Sequence, residues 1–171
     1  MTQFILHSRI RKAAVEDACT INEIANVAFR ATYATIISQS QIDYMIDWMY
    51  SEDTIKKEIA DKVTYLLLET EGRYVGYVSF GPEDSSLFHL HKIYLLPEFQ
   101  GRGYGKLLFN AAEEFMKKSG AEAFELNVNR NNKALDFYKH LGMHIARSGD
   151  FDIGGGFFMN DYIMRKELNL A

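Results

Sequence analysis

Gln100-Gly101-Arg102-Gly103-Tyr104-Gly105 stands between an apolar run, Ile93-Tyr94-Leu95-Leu96-Pro97, and a segment in which Leu108, Ala111, Ala112 and Phe115 recur at helical spacing. The glycines therefore fall at a strand-to-helix turn. A helix N-terminus there offers backbone N–H groups and a positive dipole end to an anion. Alternate glycines let the backbone approach a bulky anion with no Cβ in the way. Arg102 and Lys106 add positive charge at the same place. The physical reading is a phosphate or pyrophosphate cradle; taken alone, the hexapeptide also suits a glycine-rich helix cap. It is not a Walker loop, because Leu107 follows Gly105-Lys106 where Ser or Thr is required. Nor is it a dinucleotide fingerprint, because the last glycine comes one residue early.

Composition bounds the rest. With 171 residues, 47% hydrophobic and 25% charged, the chain reads as one globular domain spanning residues 1–171. A net charge of −4 argues against nucleic acid as a main partner and suits a cationic small-molecule substrate. The single cysteine, Cys19, excludes an internal disulfide and fits a reducing compartment. It lies in a helix without an activating neighbour and reads as a structural thiol. The opening Met1-Thr2-Gln3-Phe4-Ile5-Leu6 has no basic flank and no long apolar run, so it does not read as a signal peptide. No stretch reaches the length of a membrane span. The expected location is the cytoplasm, with no membrane partner.

Periodicity and punctuation order the elements. Ser8 to Ala13 reads as a strand. Ala14-Val15-Glu16-Asp17 opens a helix whose buried stripe is Ile21, Ile24, Ala25 and Ala28. Ser40 is the expected N-cap of a helix through Tyr50, and Ser51 of the next. Thr64–Glu69 and Tyr74–Phe80 form a hairpin about Glu71-Gly72, and Gly81-Pro82 breaks it. Leu87 to Leu96 is the strand that feeds the glycine loop, and the helix after it runs from Gly103 to Lys118. Ala123 to Val128 is a strand. Ala134, Phe137, Tyr138 and Leu141 mark a helix, and Met143–Ser148 and Phe157–Lys166 are the last strands. The order is mixed α and β on one sheet, an α/β architecture.

Two segments in this order carry a family resemblance. Gln100-x-x-Gly103-x-Gly105, behind Leu95-Leu96-Pro97-Glu98, resembles the acetyl-CoA-binding motif of the GCN5-related N-acetyltransferases, the GNAT family. Asn129-x-x-Asn132-Lys133-Ala134-Leu135-Asp136-Phe137-Tyr138-Lys139-His140-Leu141-Gly142 is similar to that family's N-x-A-x-x-F-Y-x-x-x-G segment. The matched core runs from about Leu87 to Gly142. The resemblance implies a mixed, mostly antiparallel central sheet flanked by helices, with acetyl-CoA as cofactor. It implies that the backbone of Ile93, Tyr94 and Leu95 runs beside the pantetheine arm. The N–H groups from Gln100 through Gly101, Arg102, Gly103, Tyr104 and Gly105 to Lys106 would take the pyrophosphate, and Asn132 a polar contact to the coenzyme. It also implies that the first two helices and their connection wall the acceptor pocket, where Tyr33 is expected to face substrate. Met143 replaces the family's usual Phe after Gly142, a change of packing more than of chemistry.

Acetyl transfer needs a neutral amine, yet an alkyl ammonium titrates near ~10.4, so only about one molecule in 10³ is neutral near pH 7. A base offsets that. His89 and His91, two apart on one strand and so on one face, are the candidates, either as bases or as hydrogen-bonded packing residues. His89 aligns with the strand position where several family members carry a glutamate; this chain has no acid at 89 or 91. A metal is not expected, since His-x-His supplies two ligands and no third is evident nearby. Tyr138 stands where the resembled family places its general acid, although it also lies on its helix's apolar stripe. Asp150, Asp152 and Asp161, in or beside the last hairpin, are expected to attract a cationic acceptor.

The expectation is an acetyl-CoA-dependent N-acetyltransferase acting on a small primary amine by direct attack. Tyr33 to Tyr50 and Asn160-Asp161-Tyr162-Ile163-Met164 resemble the branch that acetylates polyamines such as spermidine. An enzyme acetylating protein N-termini or lysines, and an acyl-CoA sensor without turnover, are the alternatives. A homodimer is compatible with each.

Overall fold

Glu71 and Gly72 both take positive φ, 55° and 73°, the handedness that matches strand twist in a tight hairpin. They join β2 (Thr64–Thr70) to β3 (Arg73–Pro82). This hairpin belongs to a seven-stranded sheet in the computed structural model, which describes residues 7–168. The segment Met1–Leu6 lies outside the described residues. The other strands are β1 (Arg9–Lys12), β4 (Leu87–Leu95), β5 (Ala123–Asn129), β6 (His144–Gly154) and β7 (Phe157–Glu167), and the order across the sheet is β1-β2-β3-β4-β5-β7-β6. Every neighbouring pair is antiparallel except β4 and β5, which are parallel. The mixed, mostly antiparallel sheet expected from the sequence is therefore present.

Helices cover both faces. On one side lie α1 (Ala18–Tyr33), α2 (Gln39–Met49) and α3 (Glu52–Ala60). On the other lie α4 (Tyr104–Lys118) and α5 (Ala134–His140). Strand alternation feeds both cores. Tyr65 and Tyr77 stack at 5.9 Å beneath α1–α3, and Phe80 meets Phe115 of α4 at 5.3 Å. Each fully buried ring of this kind stabilises the fold by about 2 kcal/mol.

Several boundaries differ from the sequence reading. Ser38, not Ser40, caps α2, its Oγ accepting from the Gln41 N–H at 3.1 Å. Gln41 also donates its Nε2 to the Phe158 carbonyl at 2.7 Å, which anchors this first turn to β7. Ser51 caps α3 as expected. Val15–Asp17 forms a separate 3₁₀ turn, because Asp17 is held by Arg11 at 2.8 Å and accepts from the Ala14 N–H. Another 3₁₀ turn, Pro97–Phe99, separates β4 from the glycine loop. The strand β6 runs on through Gly149 to Gly154, with register shifts at Ile145/Arg147 and Asp152/Gly154 that absorb its irregular pattern.

Two irregularities of β4 position the site. First, β4 and β5 pair only over Leu87–Ala123, Phe88–Phe124 and His89–Glu125. Beyond His89 they diverge, which opens a cleft in the sheet. Second, Ser79 pairs with Lys92 but Phe80 with Leu90, so β4 carries a bulge at His91. The extra residue shifts the alternation by one. His89 before it and Lys92 and Tyr94 after it consequently share the α1–α3 side with His91.

Candidate active site

The cleft between the diverging strands is a cavity of about 710 Å³. Leu90 to Leu95 form one wall, Leu126 to Val128 the other, and Gln100, Gly101, Gly103, Gly105 and Lys106 the end. Asn132, Phe137 and Tyr138 close it from the α5 side. A second cavity, about 420 Å³, lies beneath α1–α3 and is bordered by Trp48, Glu58, His89, Asn129, Phe151 and Asp161, among others. Tyr33, His91, Lys92, Tyr94 and Asn127 border both cavities and so mark where they meet.

The junction is built from hydroxyls and amides. Tyr33 OH lies 3.4 Å from Asn132 Nδ2, and burial pushes its pKa up to about 12. Tyr94 OH is 3.1 Å from Tyr50 OH, and burial holds both phenols well above their usual range. Tyr138 is likewise raised by burial and keeps its proton across the physiological range. The His89 and His91 rings sit 5.1 Å apart. His91 is open to solvent at its edge, yet enough protein surrounds it to push its pKa down to about 4, with His89 and Lys92 adding to the effect. His89 is lowered chiefly by burial; its Nδ1 stands 2.9 Å from Glu83 Oε1, but off hydrogen-bond geometry. Among the described residues, no cluster of three or more His, Cys, Asp or Glu side chains could hold a metal ion.

A family model, the acetyltransferase (GNAT) family, matches residues 22–143. The chain belongs to the GNAT family. It is 30% identical over 163 residues to a spermidine N(1)-acetyltransferase of Thermoplasma acidophilum, covering 92% of this chain and 96% of that protein. An uncharacterised N-acetyltransferase of Bacillus subtilis is 29% identical, with 85% and 86% covered. The fold is similar to the crystal structure of the PaiA N-acetyltransferase from Thermoplasma acidophilum in complex with coenzyme A, with a TM-score of 0.82, 29% identity, and 94% and 99% covered.

The protein is an acetyl-CoA-dependent GNAT N-acetyltransferase, and its larger cavity fits that cofactor. Gly101 and Gly103 take φ of 76° and 89° directly before α4, a backbone shape that L side chains resist. A Cβ at Gly101 would meet no atom of the described residues within 4 Å, so the ground above it is open. Lys106 borders the same end. The divergence of β4 from β5 leaves the Ile93–Leu95 backbone edge facing the cavity, where it can pair with an amide-bearing chain as a strand would. Bound there, acetyl-CoA supplies an acetyl group activated as a thioester.

Other expected residues fall differently. Arg102 lies with its guanidinium 5.4 Å over the Phe99 ring, and Tyr104 is buried with its hydroxyl 3.3 Å from Thr70 Oγ1. Neither side chain lines the cavity. Asn132 Oδ1 accepts from the Ala134 N–H at 2.9 Å, which shapes the entry to α5. Asp152 is bound to its own turn, Oδ1 accepting from the Gly154 N–H at 2.8 Å, and Asp150 pairs with Arg130 at 2.7 Å. Neither lines either of these two cavities. Asp161 does; it is 5% exposed and belongs to the wall, not the mouth. Lys92 and Asn127 went unread in the sequence, although both stand at the junction. A lysine between a histidine and an isoleucine on a strand was the available signal for the first.

Proposed function

We propose that the acetyl acceptor is a small cationic primary amine, a polyamine such as spermidine. The observation that carries this reading is the Asp161 carboxylate in the wall of the smaller cavity. Its Oδ2 accepts from Asn127 Nδ2 at 3.3 Å, while its Oδ1 has no hydrogen-bond partner among the described residues. A buried carboxylate oxygen without a donor is costly unless a ligand supplies one, and an ammonium does. The aromatic lining, with Tyr33, Tyr50, Tyr94, Trp48 and Phe151, suits an alkyl chain with cationic ends. The name of the 30% identical relative points the same way. In this reading Tyr138, in the wall of the acetyl-CoA cavity, returns a proton to the departing sulfur. His89 and His91 flank the amine.

A thiol-release assay tests the acceptor. The panel is spermidine, a neutral-tailed monoamine, an amine bearing a carboxylate, and peptides with free amino termini. The polyamine should give the highest kcat/KM, and added salt should raise its KM. Equal use of the acidic amine, or turnover with peptides alone, would retire the polyamine reading.

A further inference from the structure

We infer that Asp161 is the base that takes the proton from the acceptor ammonium; this rests on the amine-acetyltransferase reading above. Asp161 lies in β7 opposite Asn129 of β5 and Gly149 of β6. Its hydrogen bond to Asn127 ties it to a residue bordering both cavities, so it stands one side chain from the place where amine and thioester must meet.

The comparison with the histidines is a matter of charge. Passing a proton from an ammonium to a carboxylate turns an ion pair into two neutral groups, which a poorly solvated pocket favours. Passing it to a neutral histidine only moves a cation. For His91 the new cation would sit beside Lys92 and His89, and burial, with those neighbours adding to it, already holds its pKa down. For His89, burial is the main obstacle: it outweighs the raising effect of Glu83, which stands 2.9 Å from Nδ1 without making a hydrogen bond. The charged and titratable groups facing Asp161 are few. Arg130 pulls its pKa down and is itself paired with Asp150, while Tyr33 feels its charge from α1. Across the cavity stand His89, His91 and the Lys92–Glu58 pair. Burial outweighs the lowering effects, and the carboxyl pKa is raised.

The step balances. One ammonium proton moves to Asp161 Oδ1. The freed nitrogen lone pair forms the N–C bond to the acetyl carbon as the C–S bond breaks. The second proton lost by nitrogen ends on sulfur by way of Tyr138, and the carboxyl proton goes to water. The net products are amide, thiol and one proton.

The test compares two amines in wild type and D161N. One is an alkylamine, an ammonium at neutral pH; the other is an alkoxyamine, already neutral there. Thermal midpoint and calorimetric acetyl-CoA affinity, both unchanged, identify folded D161N. At saturating amine its kcat for the alkylamine should fall by about 100-fold or more, a loss that weaker ammonium binding alone would not give, and for the alkoxyamine by no more than about threefold. Calorimetric affinity for the alkylamine should weaken by roughly tenfold. Should D161N not fold, the wild-type pH profile decides: an acidic limb set by Asp161 should appear with the alkylamine and be absent with the alkoxyamine. Equal losses with both amines, no loss with the alkylamine, or the same acidic limb for both would overturn the assignment in an active enzyme. A wild type that acetylates no amine would overturn the parent reading with it.

Discussion

Lys92 Nζ lies 2.9 Å from Glu58 Oε1 and 2.6 Å from the Met49 carbonyl oxygen, tying β4 to α3 and α2 at the wall the two cavities share. Tyr65 OH, 3.1 Å away, is a third acceptor. An ammonium has three donors, and here each finds an acceptor. The lysine side chain is 4% exposed, and burial pulls its pKa below the usual range. The charge of Glu58 and its hydrogen bond to the ammonium work against that lowering.

Lys92→Met leaves Glu58, a quarter exposed and still accepting from Tyr65 OH, without its cation, and the Met49 carbonyl without its donor. It should therefore destabilise the protein by about 2 kcal/mol. The double variant Lys92→Met/Glu58→Gln should recover part of the loss. Urea unfolding followed by circular dichroism measures both. A single-variant loss under about 1 kcal/mol would mean the pair is not held as described.

A second buried carboxylate sets an acid limit on stability. Glu125 is 3% exposed and bound by Arg147 at 2.8 Å and Arg165 at 3.1 Å. The Arg147 hydrogen bonds are the largest cause holding its pKa below the usual carboxylate range. A depressed folded pKa gives stability that is present above the unfolded pKa and lost as pH falls through the folded one. Glu125→Gln should thus lower the thermal midpoint near neutral pH, and the gap to wild type should close in acid, below about pH 4. A gap of constant size across that range would count against the clamp.

What the sequence carried was local. The glycine loop, the helix stripes and the Glu71-Gly72 turn follow from neighbouring residues, and the structure has them. The parting of β4 from β5 after His89 is a relation between distant strands and leaves no local mark. The bulge at His91 reverses strand alternation, so simple counting would put Lys92 on the same side as Leu90. Asp161 read like Asp152, one more acid near a hairpin. Only pairing with β5 shows that Asp161 is buried at the cavity wall while Asp152 serves its own turn. Ser38 and Ser40 were both competent caps by residue type, and the structure uses Ser38.

Gly103 caps α4 with φ of 89°, where a β-branched residue costs roughly 1–3 kcal/mol. Gly103→Val should relieve that strain by reshaping the loop, and so disturb the cradle before the core. Acetyl-CoA affinity is expected to fall by tenfold or more, about 1.4 kcal/mol, with far-UV circular dichroism unchanged. Wild-type affinity by calorimetry in the folded variant would remove the cradle from this loop.

Tyr138→Phe removes one oxygen and keeps the ring in its contacts with Phe109 and Phe137, so the fold should stand. If the phenol protonates the departing sulfur, kcat should drop by roughly 100-fold or more while acetyl-CoA affinity stays within about twofold. Burial raises the phenol's pKa, which alone would make it a reluctant acid. The same poorly solvated cavity disfavours a thiolate, however, so donor and acceptor shift together and the transfer need not become uphill. A leaving thiol of lower pKa depends less on that proton. The variant's deficit should accordingly shrink with an acetyl thioester whose sulfur leaves readily as the anion. A kcat within about threefold of wild type, or a deficit identical for both thioesters, would assign Tyr138 to packing and leave the proton donor to be sought among Tyr33 and Tyr94 at the junction.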